Sequence, residues 1–120
     1  MPMETTESGQ RFERLAARFL ADPAVSRGTG FGSNPGLRVG GKIFAMLGRG
    51  GELVVKLPKE RVDGLVALGM GQRFDPRHDG RLMKEWVTVP AKHAGHWEGL
   101  ADEALAFVRP AGQSPRSRGG

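Results

Sequence analysis

Residues 43–57 read IFAMLGRGGELVVKL, two apolar runs separated by a glycine-rich link. A link of this length and composition between apolar runs is typical of a β-hairpin. The second run alternates, as a strand with two different faces does, and it places Leu53, Val55 and Leu57 on one face and Val54 and Lys56 on the other. The stretch therefore predicts an antiparallel pair of strands.

The flanking segments predict helices and further strands. Apolar residues recur at helical spacing from Phe12 to Leu20, and Asp22-Pro23 ends that pattern. Pro58 suits the first position of a second helix, Gly69 ends it, and a third helix follows Trp97. Residues 81–89 have the composition of a strand. Neighbouring strands with helices at the ends predict an α+β fold, a two-layer sandwich built on an antiparallel sheet.

Residues 36–42, GLRVGGK, fit the frame G-x-x-x-x-G-K of a phosphate-binding loop. A working loop of this kind opens a helix and carries Ser or Thr after the lysine. Here Ile43 follows the lysine and begins a predicted strand. The sequence instead predicts a tight turn at Gly40-Gly41, where glycine tolerates a positive φ.

Length and composition indicate one globular domain, residues 1–109, and a disordered basic tail, residues 110–120. The 120 residues include no cysteine, which excludes disulfides and thiolate chemistry. No segment has the roughly 20 apolar residues of a membrane-spanning helix, and no signal peptide is recognisable. We therefore expect a cytoplasmic protein with no membrane partner and no cofactor.

The net charge of +5 is concentrated in residues 25–92, which hold twelve Lys and Arg against six acids. Such asymmetry favours a polyanionic partner. Arginines near glycine-rich hairpin turns can contact phosphates, and a tryptophan beside a lysine can stack on a base. The candidate nucleic-acid-binding residues are Arg38, Lys42, Arg49, Lys56, Lys84 and Trp86. The alternative is a solvated strand face whose lysines discourage pairing between sheet edges.

Metal binding and catalysis have less support in the sequence. His93 and His96 are three residues apart, which differs from the H-E-x-x-H pattern of zinc proteases. No serine lies in the G-x-S-x-G frame of a nucleophile elbow. We therefore expect a protein that is not an enzyme, with no metal site.

Several segments resemble the MmcQ/YjbR-like family of small bacterial α/β proteins. The matching pieces, in family order, are VGGKIFA (39–45), VKLP (55–58), FDP (74–76) and KEWV (84–87). The resemblance covers roughly residues 10–109 and implies a compact antiparallel sheet with helices packed on one face, related to secretion-chaperone-like folds. It carries no established catalytic residues, and DNA binding has been proposed for the family.

These observations favour a non-enzymatic binding module that contacts DNA through its backbone phosphates, without sequence preference. The alternative is a protein-interaction module that uses the exposed face of the sheet, an expectation that rests on fold-level analogy.

Overall fold

The computed structural model describes residues 7–29, 35–48, 50–74 and 83–109, with the backbone alone for residues 7, 8, 29, 83 and 84. The predicted disordered tail, residues 110–120, lies outside these ranges. In chain order the elements are α1 (Glu7–Phe19), β1 (Val25–Thr29), β2 (Pro35–Val39), β3 (Lys42–Leu47), β4 (Leu53–Lys56), α2 (Lys59–Ala67), β5 (Gln72–Phe74), β6 (Met83–Val89), a 3-10 helix (Ala91–His96) and α3 (Trp97–Val108).

The six strands form one antiparallel sheet in the order β1-β2-β3-β4-β6-β5. All three α-helices pack on the same face, which we call the inner face, where the main apolar core lies. The opposite side of the sheet is the outer face. The predicted α+β fold, an antiparallel sheet with helices on one face, is confirmed.

The hairpin predicted from residues 43–57 is strands β3 and β4, in which Ala45 pairs with Val55. The turn predicted at Gly40-Gly41 joins β2 to β3, and both glycines have positive φ, 61° and 80°. A strand follows this turn where a phosphate-binding loop would open a helix. The interpretation of residues 36–42 as a hairpin turn is confirmed.

Strand β3 contains a bulge at Phe44, because Leu37 pairs with Ala45 while the next residue, Arg38, pairs with Ile43. The extra residue interrupts the alternation of side chains, so Phe44 and Ala45 both join the inner core. The Phe44 ring then meets Phe19 of α1 edge to face, with ring centroids 5.9 Å apart. The bulge therefore directs the large Phe44 ring to the inner face, where it packs against α1.

The helices begin and end close to the predicted positions. Pro58 is the N-cap of α2, one residue before the helix, and Gly69 follows its end with a φ of 75°. Strand β5, of three residues, has no apolar run of its own, and His93 and His96 form part of the 3-10 helix directly before α3.

The outer face has a small apolar cluster of its own, formed by Met46, Val54 and Trp86, with Ile43 and Phe74 packed against it. Only 8% of Trp86 is exposed, so this tryptophan covers the sheet, and Met46 and Val54 beside it are fully buried. Within the described helices, none is long and apolar enough to cross a membrane.

Candidate nucleic-acid interface

Strand alternation places Arg38, Lys56 and Trp86 together on the outer face. Arg38 lies between Leu37 and Val39, which both belong to the inner core, so its own side chain leaves the sheet on the other side. Lys56 pairs with Trp86 across strands β4 and β6, and cross-strand partners share a face. Arg38, Lys56 and Trp86, three of the six predicted residues, thus lie on the same face of the sheet, with β3 between Arg38 and Lys56.

The guanidinium of Arg38 is held by its own hairpin. Its Nη1 donates a hydrogen bond of 2.9 Å to the carbonyl oxygen of Gly41 in the β2–β3 turn. The side chain also runs over Gly28 on β1, where an added Cβ would come within 2.6 Å of the Arg38 Cδ. Glycine at position 28 therefore leaves room for the arginine, which is positioned before any ligand arrives.

Lys56 has two neighbours on strand β6. Its Nζ lies 5.9 Å from the centre of the Trp86 ring and 3.9 Å from Oε1 of Glu85. About a third of the side chain, 34%, stays exposed. An ammonium over an aromatic face is attracted by the ring, and the long distance to Glu85 leaves the ion pair weak. Lys56 thus keeps a solvent-facing charge at a defined place.

Lys42 belongs to the other side of the sheet. It pairs with Val39, whose side chain lies in the inner core, so Lys42 starts its strand on the inner face. The residue is exposed at the end of the hairpin. Lys42 is close to Arg38 in the sequence, but the two side chains leave opposite faces of the sheet. Both can contact the same ligand only if that ligand wraps around the β2–β3 turn.

The last two predicted residues are not fully described. Arg49 lies outside the described residues, between β3 and β4 in the sequence. Lys84 belongs to β6, two residues before Trp86, and only its backbone is described. Their contribution to the surface stays a prediction.

The helical layer neutralises much of its own charge. Carboxylates there pair with arginines at close range: Glu13 with Arg27, Asp22 with Arg109, Asp63 with Arg73, Asp102 with Arg18 and Glu103 with Arg61. On the outer face, Lys56 forms a long ion pair of 3.9 Å with Glu85. Arg38 and Lys56 therefore place positive charge on the outer face, while several carboxylates of the helical layer are paired with arginines.

Comparison of the chain with protein-family models, with curated proteins and with solved structures gave no significant match. The resemblance to the MmcQ/YjbR-like family stays a hypothesis based on the segments quoted above. The fold defines a class of protein, an α+β module in which helices cover one face of the sheet and the outer face carries Arg38 and Lys56.

Sequence reasoning missed how these side chains are held. Alternation within one strand indicates that Lys56 faces away from the core, and that inference needs no partner strand. The bond from Arg38 to Gly41 and the contact of Lys56 with Trp86 depend on register between strands. A signal was available in Gly28, since a glycine inside a strand often marks close approach by another group.

Proposed function

We propose that the protein is a non-enzymatic module that binds nucleic acid through its backbone phosphates, using the outer face around Arg38 and Lys56. The observation that carries the proposal is the separation of charge between the two layers. Five carboxylates of the helical layer pair with arginines, whereas the outer face presents the side chains of Arg38 and Lys56 from the sheet. A surplus of fixed positive charge attracts polyanions.

The geometry favours phosphate contacts over stacking on bases. Trp86 is only 8% exposed, and Lys56 lies over its ring, so no open aromatic surface is offered there. Base stacking by an aromatic side chain needs an accessible ring. Binding through phosphates alone carries no direct sequence information, which agrees with the sequence-independent binding expected above.

The alternative, a protein-interaction module on the outer face, has weaker support. An apolar docking surface requires exposed apolar side chains, and Met46 and Val54 on this face are fully buried. The large apolar side chains that are exposed among the described residues, Leu68 and Phe107, belong to the helical side.

The test is fluorescence anisotropy of labelled duplex and single-stranded DNA with the full chain, from about 50 to 200 mM salt, the range in which counterion release is visible. We expect affinity to fall steeply with salt. Arg38→Gln and Lys56→Gln should each weaken binding, and each should reduce the slope of log affinity against log salt by about 1.

The matched control is Arg14→Gln, which removes the same charge from an exposed position of α1 in the helical layer. It should have a smaller effect on both affinity and slope. Equal losses from all three variants would place the contacts elsewhere or reduce them to net charge. Absence of binding at the lowest salt would refute the proposal, and recovery of a protein partner after nuclease treatment would favour the alternative.

A further inference from the structure

The ammonium of Lys56 has a carboxylate beside it on the neighbouring strand β6. Oε1 of Glu85 lies 3.9 Å from the Lys56 Nζ, and about half of the Glu85 side chain, 49%, is exposed. The ring of Trp86, the next residue of β6, has its centre 5.9 Å from the same Nζ. Strand β6 therefore provides the cation of the interface with both an aromatic neighbour and a negatively charged one.

The sheet keeps Glu85 close to Lys56. The Leu57 backbone N–H donates a hydrogen bond of 2.9 Å to the carbonyl oxygen of Glu85, and Lys56 itself pairs with Trp86. The side chains of Lys56 and Glu85 thus start from backbone positions that the ladder between β4 and β6 holds together. The carboxylate therefore stays near the ammonium when a ligand arrives.

A phosphate that contacts Lys56 must also come close to Glu85. A charge-assisted hydrogen bond brings a phosphate oxygen to about 2.8 Å from the ammonium nitrogen. Because Oε1 of Glu85 is 3.9 Å from that nitrogen, it lies within roughly 7 Å of the phosphate oxygen from any direction of approach. This separation is shorter than the Debye length of about 8 Å at physiological ionic strength, so the two negative charges repel each other.

Glu85 also competes with the phosphate for the same positive charge. An ammonium has three donor hydrogens but a single charge, and the carboxylate offsets part of it before a ligand arrives. An exposed ion pair changes an equilibrium constant by up to about fivefold. Repulsion between two charges roughly 7 Å apart in water has a similar effect, about two- to threefold. Both effects of Glu85 act against phosphate binding.

We propose that Glu85 is an internal competitor of the nucleic-acid phosphate at Lys56, and that it holds the affinity of the outer face below what the two cations Arg38 and Lys56 would give without it. The inference rests on the proposed function, because it concerns the same phosphate contact. It gives an acidic residue of the interface a part in setting how tightly a polyanion is bound.

The test is fluorescence anisotropy with the same labelled DNA, comparing the unaltered full chain with Glu85→Gln at about 50 and 200 mM salt. We expect Glu85→Gln to bind about two- to fivefold more tightly at the lower salt, because the competition and the repulsion are both lost. The gain should shrink at the higher salt, where the Debye length is shorter.

The matched control is Glu98→Gln. Glu98 forms an ion pair of similar length, 4.0 Å, with Arg18 in the helical layer, and 59% of its side chain is exposed. Its replacement changes the net charge by the same amount and should raise the affinity less than Glu85→Gln does. In a Lys56→Gln background the gain from Glu85→Gln should fall to that of the control, because the ammonium for which the two anions compete is gone.

Binding by the unaltered chain, together with equal gains from Glu85→Gln and Glu98→Gln, would overturn this inference and leave the proposed function standing. A gain that is undiminished in the Lys56→Gln background, or that does not decrease with salt, would overturn it as well. Absence of binding by both the unaltered chain and Glu85→Gln at the lower salt would refute the proposed function, and this inference with it.

Discussion

The carboxylate of Asp22 and the guanidinium of Arg109 connect the two ends of the helical layer. Arg109 Nη2 donates a hydrogen bond of 2.8 Å to Oδ2 of Asp22, and Oδ1 of the same carboxylate accepts from the Ala24 backbone N–H at 2.9 Å. Asp22 follows α1 and Arg109 caps α3, so residues 87 positions apart are joined. Only 10% of the Arg109 side chain is exposed, which limits screening by water.

Removing either partner of this pair should destabilise the fold. We expect Arg109→Met and Asp22→Asn each to lower the free energy of unfolding by about 1–3 kcal/mol. The remaining residue stays partly buried without the oppositely charged group of the pair. Urea denaturation of both single variants and the double variant measures the coupling between them. A double variant that equals the sum of the singles would show that the pair contributes no interaction of its own.

Gly71 and Gly64 should respond in opposite ways to replacement by alanine. A Cβ at Gly71 would lie 2.8 Å from the Thr88 carbonyl oxygen and 2.8 Å from Val87 Cγ2, whereas a Cβ at Gly64, inside α2, meets nothing within 4 Å. We expect Gly71→Ala to lower the free energy of unfolding by about 1–3 kcal/mol because the new methyl group is crowded. Gly64→Ala should raise the free energy of unfolding by about 0.5–1 kcal/mol, since alanine is favoured over glycine in a helix.

Thermal unfolding monitored by circular dichroism compares these two variants directly. For a domain of this size, 1 kcal/mol corresponds to a Tm change of about 4 °C. A Gly71→Ala variant as stable as the unaltered protein would mean that β5 can move away from β6 at little cost.

Asp63 should make the stability of α2 depend on acid pH. Hydrogen bonds from Lys59, which contributes most, and from Arg73 on β5 lower the pKa of the Asp63 carboxyl below its usual 3.8. Because the folded-state pKa lies below that of the unfolded chain, the stabilisation is complete well above pH 3.8 and is lost as the pH falls through the folded-state pKa.

The measurement is the difference in unfolding free energy between the unaltered protein and Asp63→Asn, followed by urea denaturation from neutral to acid pH. The unaltered protein should be the more stable at pH 7, and the difference should shrink toward acid. Glu60→Gln removes an exposed carboxylate of the same helix and should change stability little at neutral pH. A difference for Asp63→Asn that is constant with pH would argue against the two hydrogen bonds as its cause.

Tryptophan fluorescence should report on how nucleic acid is held. The chain has two tryptophans, and Trp97 and Trp86 are 1% and 8% exposed. In a Trp97→Phe variant the remaining signal comes from Trp86 alone, and iodide should quench it weakly. Saturating DNA should leave that emission nearly unchanged, because phosphate contacts do not reach a buried ring. Strong quenching by DNA would instead indicate base stacking.

Much of the fold could be predicted from the sequence because its main elements have strong local patterns. The run from Phe12 to Leu20, the two strands around residues 48–51 and the helix after Pro58 each carry their own periodicity or end signal. Strand β5 carries no such signal. Its three residues are held by pairing with β6, and pairing is not visible within a short segment.

The candidate interface was less predictable for a related reason. Alternation within β4 places Lys56 on the outer face, and that inference is local. The bulge at Phe44 and the pairing of Lys42 with Val39 depend on how strands meet, and they separate Lys42 from Arg38 despite their closeness in sequence. The burial of Trp86 likewise comes from a cluster with Val54 on the adjacent strand β4 and Met46 on β3 beyond it.

The two edge strands of the sheet bear on self-association. Arg27 on β1 is ion-paired with Glu13 of α1, and Arg73 on β5 is ion-paired with Asp63 of α2. A second copy that paired with either edge would bring its own backbone beside an ion-paired arginine, and the described part of β5 offers a strand of three residues. Charged and short edges resist such pairing. The arginines that pair with helical carboxylates thus also place a charge on each edge strand, which disfavours aggregation by edge-to-edge pairing.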